Sequence, residues 1–296
     1  MKNKSHKPET SNKSYGTLYV VSTPIGNLED ITLRALEILK KVNLIAAENI
    51  RHTKILGSHY GINTPLTSYH QHNRKSKAPE LVAKLKAGSD IALVTNAGTP
   101  GVSDPGATLI SLAHDHNIKV SPIPGPSAVI AALSVCGLRI DRFLFMGFLS
   151  SRSGKRKKEI RELTNEQRTM IFYEAPHRIK VMLTDLRDIL GARRVVILRE
   201  LTKVYEEVKR GHIGSILEGL DDKKIQGEIT VVVAGRGKTK KEPSLDQKTK
   251  DTIKKLLINQ NMGVKDVAIK ISEELDLNYR SIYRECITIK KQIDLK

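Results

Sequence analysis

The sequence predicts an α/β protein made of two successive α/β domains and a small C-terminal helical module. Three observations carry this. Short apolar runs alternate with stretches of helical periodicity from Leu18 to Val233. Pro122, Pro124 and Pro126 crowd together midway and break that alternation. After a Gly/Lys-rich stretch at 235–244, the pattern turns purely helical.

Residues 1–14 are polar and basic and read as a flexible tail. The first domain is expected over 15–122. Leu18 to Val21 reads as a strand ending in the Pro/Gly turn Ser22-Thr23-Pro24-Ile25-Gly26-Asn27. Leu28, Ile31, Ala35, Leu36, Leu39 and Val42 follow at helical spacing, with Asn27 or Asp30 as the cap. Leu44 to Ala47 is a second strand, 51–58 and 79–87 are short helices, and 91–95 is a third strand. A helix after Pro105 leads to a strand near Val120. Such punctuation predicts a parallel sheet with right-handed crossovers.

The second domain is expected over 123–236 and repeats the alternation. Strands are placed at 143–146, 170–173, 195–198 and 229–233, and helices at 156–163, after Pro176, and near 213–220. A linker follows at 237–244. Over 245–296, three amphipathic helices are marked by Ile253, Leu256 and Leu257, by Val264 to Leu275, and by Ile282, Cys286 and Ile289. They form either a helix-turn-helix module or a helical cap on the second domain.

Composition narrows the function. The 296 residues carry a formal net charge of +18, which favours polyanionic partners, nucleic acid first. The cysteines, Cys136 and Cys286, lie far apart within apolar helical patterns and read as core thiols of a reduced, cytoplasmic protein. No signal peptide or membrane span is visible, so no membrane partner is expected. With no Trp and four Phe, base stacking is not the expected mode of RNA contact. Recognition by shape and 2′-hydroxyls fits better.

The most informative segment is Asn96-Ala97-Gly98-Thr99-Pro100-Gly101-Val102-Ser103-Asp104-Pro105-Gly106. It follows a buried strand and contains no large side chain, so its backbone can approach a ligand closely. It is neither a Walker loop nor a dinucleotide fingerprint. Its place after a strand is where open α/β sheets bind small molecules. Asp104 reads as the cap of a helix beginning at Pro105, and Pro126 as the first residue of another. The amides of Ser127 and Ala128 would then face an anion.

Five motifs occur in order: Ser22 to Thr32, Ala97 to Gly106, Pro124-Gly125-Pro126-Ser127-Ala128, Phe172-Tyr173-Glu174-Ala175-Pro176-His177-Arg178, and Gly227-Glu228-Ile229-Thr230. From about residue 16 to 236 the chain resembles the small-subunit ribosomal RNA methyltransferase I group of the tetrapyrrole methylase superfamily. The helical tail is similar to that group's C-terminal extension. The resemblance implies two α/β domains with S-adenosylmethionine in the cleft between them, a homodimer, and 2′-O-methylation of a cytidine in the decoding region of small-subunit rRNA.

The resemblance also assigns residues. Pro24, Gly26, Asn96, Ala97, Gly98, Thr99, Val102, Ser103, Ser127 and Ala128 would hold the cofactor from one side. Tyr173, Glu174, Ala175, Leu201, Thr202, Glu228, Ile229 and Thr230 would hold it from the other. Glu48, Arg51, His72 and Asn73 are the catalytic candidates, near the substrate side with His52, His70 and Gln71. No metal is expected, because His70-x-His72 lacks a third ligand at useful spacing. Arg152, Lys155, Arg156, Lys157 and Lys158 form one candidate RNA-binding cluster, and Lys238, Lys240 and Lys241 another.

The chain departs from the group's pattern at four acids. Asn49 stands in a usual Glu-Asp-Thr-Arg, Gln71 and Arg74 in a usual His-Glu-His-Asn-Glu, and Asn96 where an Asp precedes Ala-Gly-Thr-Pro. Asn keeps size and an acceptor but cannot serve as a carboxylate base. Two alternatives to the rRNA methyltransferase therefore stay open: a catalytically weakened RNA-binding or ribosome-assembly factor, and a methyltransferase of this fold acting on a tetrapyrrole or another small acceptor.

Overall fold

The computed structural model describes residues 14–220, 226–237, 245–259, 262–275 and 279–294. The chain divides into two compact units, 1–237 and 238–296. Most of the basic tail, the lysine run at 238–241 and residues 276–278 lie outside the described residues.

The first half of the larger unit is a sheet of five parallel strands in the order β3-β2-β4-β1-β5. These are β1 (Leu18–Val21), β2 (Leu44–Ala47), β3 (Leu66–Ser68), β4 (Ile91–Val94) and β5 (Val120–Ile123). The helices α1 (Leu33–Lys41), α2 (Ile50–Tyr60), α3 (Arg74–Lys86) and α4 (Ala107–Asp115) connect them. Two separate cores cover the two faces. One gathers Leu81, Leu85, Ile91, Leu93 and Leu109, and the other Val21, Leu39, Ile45, Leu56 and Val94. Strands covered on both faces explain the continuous apolar runs.

The first half departs from expectation at several points. The strand β3 was not predicted, since a three-residue edge strand, Leu66-Thr67-Ser68, carries no alternation to read. The cap of α1 is neither Asn27 nor Asp30. Thr32 accepts the Ala35 N–H at 3.2 Å, while Asn27 caps a separate 3-10 turn at Leu28–Asp30. The helix α3 starts at Arg74 rather than 79, with Pro79 inside it on the exposed side. There the missing N–H leaves the buried face of Ala78, Leu81, Val82 and Leu85 intact.

The second half has five strands in the order β6-β7-β10-β8-β9. They are β6 (Phe143–Phe148), β7 (Thr169–Glu174), β8 (Arg194–Arg199), β9 (Glu207–His212) and β10 (Ile229–Val233). Among its hydrogen-bonded neighbours only β6 and β7 pair in parallel, with β9 and β10 running against β6, β7 and β8, so this sheet is mixed, against the parallel expectation. The physical reason lies between β8 and β9, where residues 200–206 are too few for a helical crossover. The strand β9, Glu-Val-Lys-Arg-Gly-His, escaped prediction because it is polar, as suits an exposed edge.

One face of this sheet packs on α6 (Ser153–Glu162), α7 (Ile179–Leu190) and α8 (Ile213–Glu218). The other face receives α5 (Ala128–Cys136) through Val129, Ala132, Leu133 and Cys136. Thus α5 follows the last strand of the first sheet but packs on the second. Its first helical residue is Ala128, not Pro126, with Ser127 extended in the cap position.

The smaller unit holds α9 (Gln247–Asn259), α10 (Val264–Glu274) and α11 (Tyr279–Asp294). They enclose their own core of Ile253, Leu256, Val267, Ile271, Ile282 and Cys286, among others. Both cysteines are buried and free. No helix among the described residues is long and apolar enough to cross a membrane.

Candidate functional site

The sheet order places the carboxyl ends of β2, β4 and β1 side by side, and the segments leaving them converge. The turn after β4 is tied to the end of β1. Thr23 and Gly98 exchange two backbone hydrogen bonds, both 2.9 Å, and the Ser22 and Thr99 hydroxyls meet at 2.8 Å. Gly98 takes φ +77, which disfavours any side chain. A Cβ on Gly106 would lie 2.7 Å from the Gly101 nitrogen, so the turn closes on itself only because position 106 is glycine, and Gly101 holds φ +84.

This turn forms one wall of a crevice of about 1150 Å³, counting its open mouth. Asn96, Ala97, Gly98, Thr99, Val102 and Ser103 line that wall, with Ile25, Glu48 and Asp104. Ser103 holds φ +66, a strained value for a residue with a side chain. The start of α5 adds Ser127 and Ala128, and no side chain caps that helix. The Ser127 and Ala128 amides therefore stay available to an anion, while the Val129 N–H bonds the Tyr173 hydroxyl. The opposite wall comes from the second sheet. It comprises Phe148, Tyr173, Glu174, Ala175 and Pro176, with Gly227, Glu228, Ile229 and Thr230.

Asp104 is a correction. It does not cap a helix, because α4 begins at Ala107 after Gly106. Its carboxyl faces the crevice, where burial, reinforced by the charges of Glu48 and Glu228, pushes its pKa up to about 6. Burial also pushes the Tyr173 hydroxyl up to about 12, with Asp104 adding to the effect. Glu174 is 2% exposed. Its Oε1 accepts the Ala175 N–H at 2.8 Å and pairs with Arg178 at 3.2 Å, while its Oε2 is buried without a partner. Burial raises its pKa, partly offset by the Ala175 N–H and Arg178.

Other candidates stand outside the crevice wall. Pro24 lines a smaller hollow beside it. Gly26, Leu201 and Thr202 meet one another: the Asn27 N–H donates to Thr202 Oγ1 at 3.0 Å, and a Cβ on Gly26 would lie 2.8 Å from the Leu201 carbonyl oxygen. They clasp the two halves together. Moreover, Leu201 and Thr202 belong to the loop after β8, which ends at Arg199.

Among the catalytic candidates only Glu48 lines the crevice, where its Oε2 accepts the Asn96 N–H at 3.1 Å. Arg51 and His72 are exposed. The Asn73 side chain is committed to its own loop, accepting from the His70 N–H at 2.8 Å and donating to Ser68. Asn49 caps α2 by accepting from the Arg51 and His52 amides, a task Asp would perform equally. Gln71 is exposed and Arg74 half-buried, neither in the crevice. Of the four substituted acids, only Asn96 faces it, and its Oδ1 is buried and unpartnered.

The basic cluster also needs correction. Arg156 is buried and donates to Asp185 at 2.7 Å and to the Ser150 and Ser151 carbonyls. It ties α6 to α7 and offers nothing to a ligand. Arg152, Lys155 and Lys158 are exposed, and Lys157 is half-buried, 3.5 Å from Asp185. The second run, Lys238, Lys240 and Lys241, lies outside the described residues.

Sequence reasoning missed Ile25, Phe148, Pro176 and Gly227 as crevice residues. Ile25, Pro176 and Gly227 each lie within one of the five motifs, whereas Phe148 carries no signal in the sequence.

The crevice suits a cationic nucleoside-bearing methyl donor. Its orphaned acceptors and carboxylates match hydroxyl, ammonium and sulfonium groups. The α5 amides match a carboxylate, and Ile25, Val102 and Ile229 offer apolar contact to a flat ring.

A protein from Synechocystis sp. named ribosomal RNA small subunit methyltransferase I is 44% identical over 270 residues, covering 91% of this chain and 96% of its own. One of the same name from Bacillus subtilis is 47% identical over 220 residues, 74% of this chain and 75% of its own. In fold alone, the chain resembles the methyltransferase CobJ at TM-score 0.57 and 19% identity, covering 75% of this chain and 95% of that one. Diphthine synthase is similar at TM-score 0.56 and 16% identity, covering 74% and 90%. The family model described as tetrapyrrole (corrin/porphyrin) methylases matches residues 17–217, and the chain belongs to that family.

Proposed function

We propose that this chain is an S-adenosylmethionine-dependent methyltransferase of small-subunit ribosomal RNA, acting on the ribose 2′-oxygen of a cytidine in the decoding region. The observation that carries the reading is the crevice, whose glycine turn, unpaired acceptors and free helix amides converge at adjacent strand ends. Identity above 40% with ribosomal RNA small subunit methyltransferases supports the acceptor class.

S-adenosylmethionine, when bound, supplies a methyl group activated by a sulfonium. The residues do the rest. Ser127 and Ala128 amides bind a carboxylate, and Asp104, Glu48 and Glu228 set a negative potential around the cation. The glycine turn, with Ala97, Gly98, Thr99, Val102 and Ser103, shapes one side, and Tyr173, Glu174, Ala175, Ile229 and Thr230 the other. Methyl transfer is an in-line displacement, so orientation and exclusion of water supply most of the rate. Of the carboxylates lining the crevice, Glu48, bonded to the Asn96 N–H at the strand ends, is the one proposed to accept a proton from the attacking hydroxyl.

Exposed Arg152, Lys155 and Lys158 on and beside α6 are proposed to contact the RNA backbone. A homodimer and a cytoplasmic location complete the reading. Asn49 as a helix cap argues against catalytic weakening, since that substitution preserves the local task.

Incubating the chain with labelled S-adenosylmethionine and small ribosomal subunits that lack ribose methylation tests this. A single methylated cytidine ribose is expected. Label in a porphyrinoid but not in RNA would overturn it, as would absence of donor binding in calorimetry.

A further inference from the structure

Beside the crevice lies a second, shallow hollow of about 390 Å³, counting its open mouth, built from the ends of β1 and β4 and one side of α2. Pro24, Leu28, Ile55 and Leu56 give it apolar walls. Its three threonine hydroxyls are already spent on main-chain carbonyls: Thr23 on Thr95, Thr95 on Ala97, and Thr53 on Asn49. The polar groups left for a ligand are His52, which is exposed, and Asn96.

Asn96 lines both this hollow and the crevice. Its backbone N–H is fixed on Glu48 Oε2 at 3.1 Å, and its Oδ1 is buried without a partner. An unpaired buried acceptor is costly, so its persistence at this junction points to a proton donor supplied by a ligand.

We propose that this hollow receives the nucleoside to be methylated, its flat base against Pro24, Leu28 and Ile55, and that Asn96 Oδ1 accepts a hydrogen bond from the acceptor hydroxyl. The idea rests on the reading that the crevice holds the donor and that RNA is the acceptor. The hollow's apolar flanks match a planar heterocycle, which its open mouth would admit edge-on. Entry requires the nucleotide to leave its stack, as for other enzymes acting on bases or sugars inside folded RNA. Asn96 orients the hydroxyl but does not take its proton, because an amide oxygen is not a base at neutral pH. In the balanced step, the hydroxyl oxygen bonds to the methyl carbon, the sulfur–carbon bond breaks with its electron pair going to sulfur, and the hydroxyl proton passes to Glu48 or water.

The chain contains no tryptophan, so an introduced one both narrows the hollow and reports on it. Ile55 is 60% exposed, so Ile55→Trp should fold normally. The expected result is a fall of roughly tenfold or more in kcat/KM for unmethylated small subunits, with donor affinity by calorimetry within about twofold of wild type. His52→Trp, at another exposed position, repeats the test if Ile55→Trp melts early. Asn96→Ala is expected to lower kcat roughly tenfold with subunit KM little changed, and Asn96→Asp to restore an acceptor and most of that rate. Unchanged kcat/KM in both tryptophan variants would overturn the proposal. Failure of the wild-type chain to methylate RNA, despite binding donor, would instead refute the functional reading beneath it.

Discussion

The two halves of the larger unit treat their polar groups differently. In the first, the crevice-facing groups are left open: Asn96 Oδ1 has no partner and the Asp104 carboxyl is desolvated beside other acids. In the second, the polar groups set back from the crevice are satisfied internally. Glu200 accepts the Glu228 N–H at 2.9 Å and binds Lys203 at 2.8 Å, and Arg156 and Asp185 form a buried pair. A parallel sheet gathers its strand ends on one edge, so the segments leaving them can share a ligand. The mixed sheet does so less and serves mainly as a shaped surface. Glu174 Oε2 is the exception on that side.

The contrast can be broken experimentally, and the largest effect belongs to the second half. Arg156→Ala leaves the buried Asp185 with only Lys157, 3.5 Å away, and breaking a buried pair costs up to about 3–5 kcal/mol, which Lys157 partly offsets. Thermal unfolding should show a large drop, and donor affinity of the protein that remains folded should be nearly normal. If melting is unchanged, the pair is not structural.

Next comes the glycine turn. Gly106→Val places side-chain atoms against the Gly101 backbone. Donor affinity should fall roughly tenfold or more, about 1.4 kcal/mol per decade, with a smaller change in melting than Arg156→Ala. Wild-type affinity in titration calorimetry would mean that the turn does not hold the donor.

A severalfold effect is expected from pH. Asp104 titrates near 6, raised first by burial and then by Glu48 and Glu228. Above that pH its charge favours a cationic donor, so affinity should weaken as pH drops from 7.5 to 5. Asp104→Asn should flatten the profile. Stability of the free protein moves the other way. Because the folded pKa exceeds the ordinary 3.8, this group's contribution is full below about 4 and is lost as pH rises through about 6. Urea titrations at both pH values compare the signs.

The smallest effect is on the surface. Lys158→Glu should leave melting unchanged but reduce the salt dependence of RNA binding by about one ion. An unaltered slope would remove α6 from the RNA contact.

Much of the fold could be read from the sequence, because strands buried on both faces leave continuous apolar runs. Leu18–Val21 and Ile91–Val94 were placed within a residue. What escaped lacked a core signal, namely the short β3 and the charged β9. The glycine turn was legible because its composition fits few other purposes. Asp104 was misread because Asp-Pro looks like a helix start locally, and only the tertiary neighbours Glu48 and Glu228 reveal its setting. Arg156 looked like any other member of its basic run, since nothing in the run tells which side chain turns inward to Asp185. Asn96 was noticed for what it replaced, and its double exposure to two hollows required coordinates.

The passage of α5 from one half to the other has a consequence for assembly. The proline-rich strut at 122–126 joins the walls covalently at one end, and the Asn27–Thr202 contact latches them at the other. Neither half folded in isolation would possess the cavity. The donor site therefore exists only once both halves are docked, and a bound donor would report that they had closed correctly.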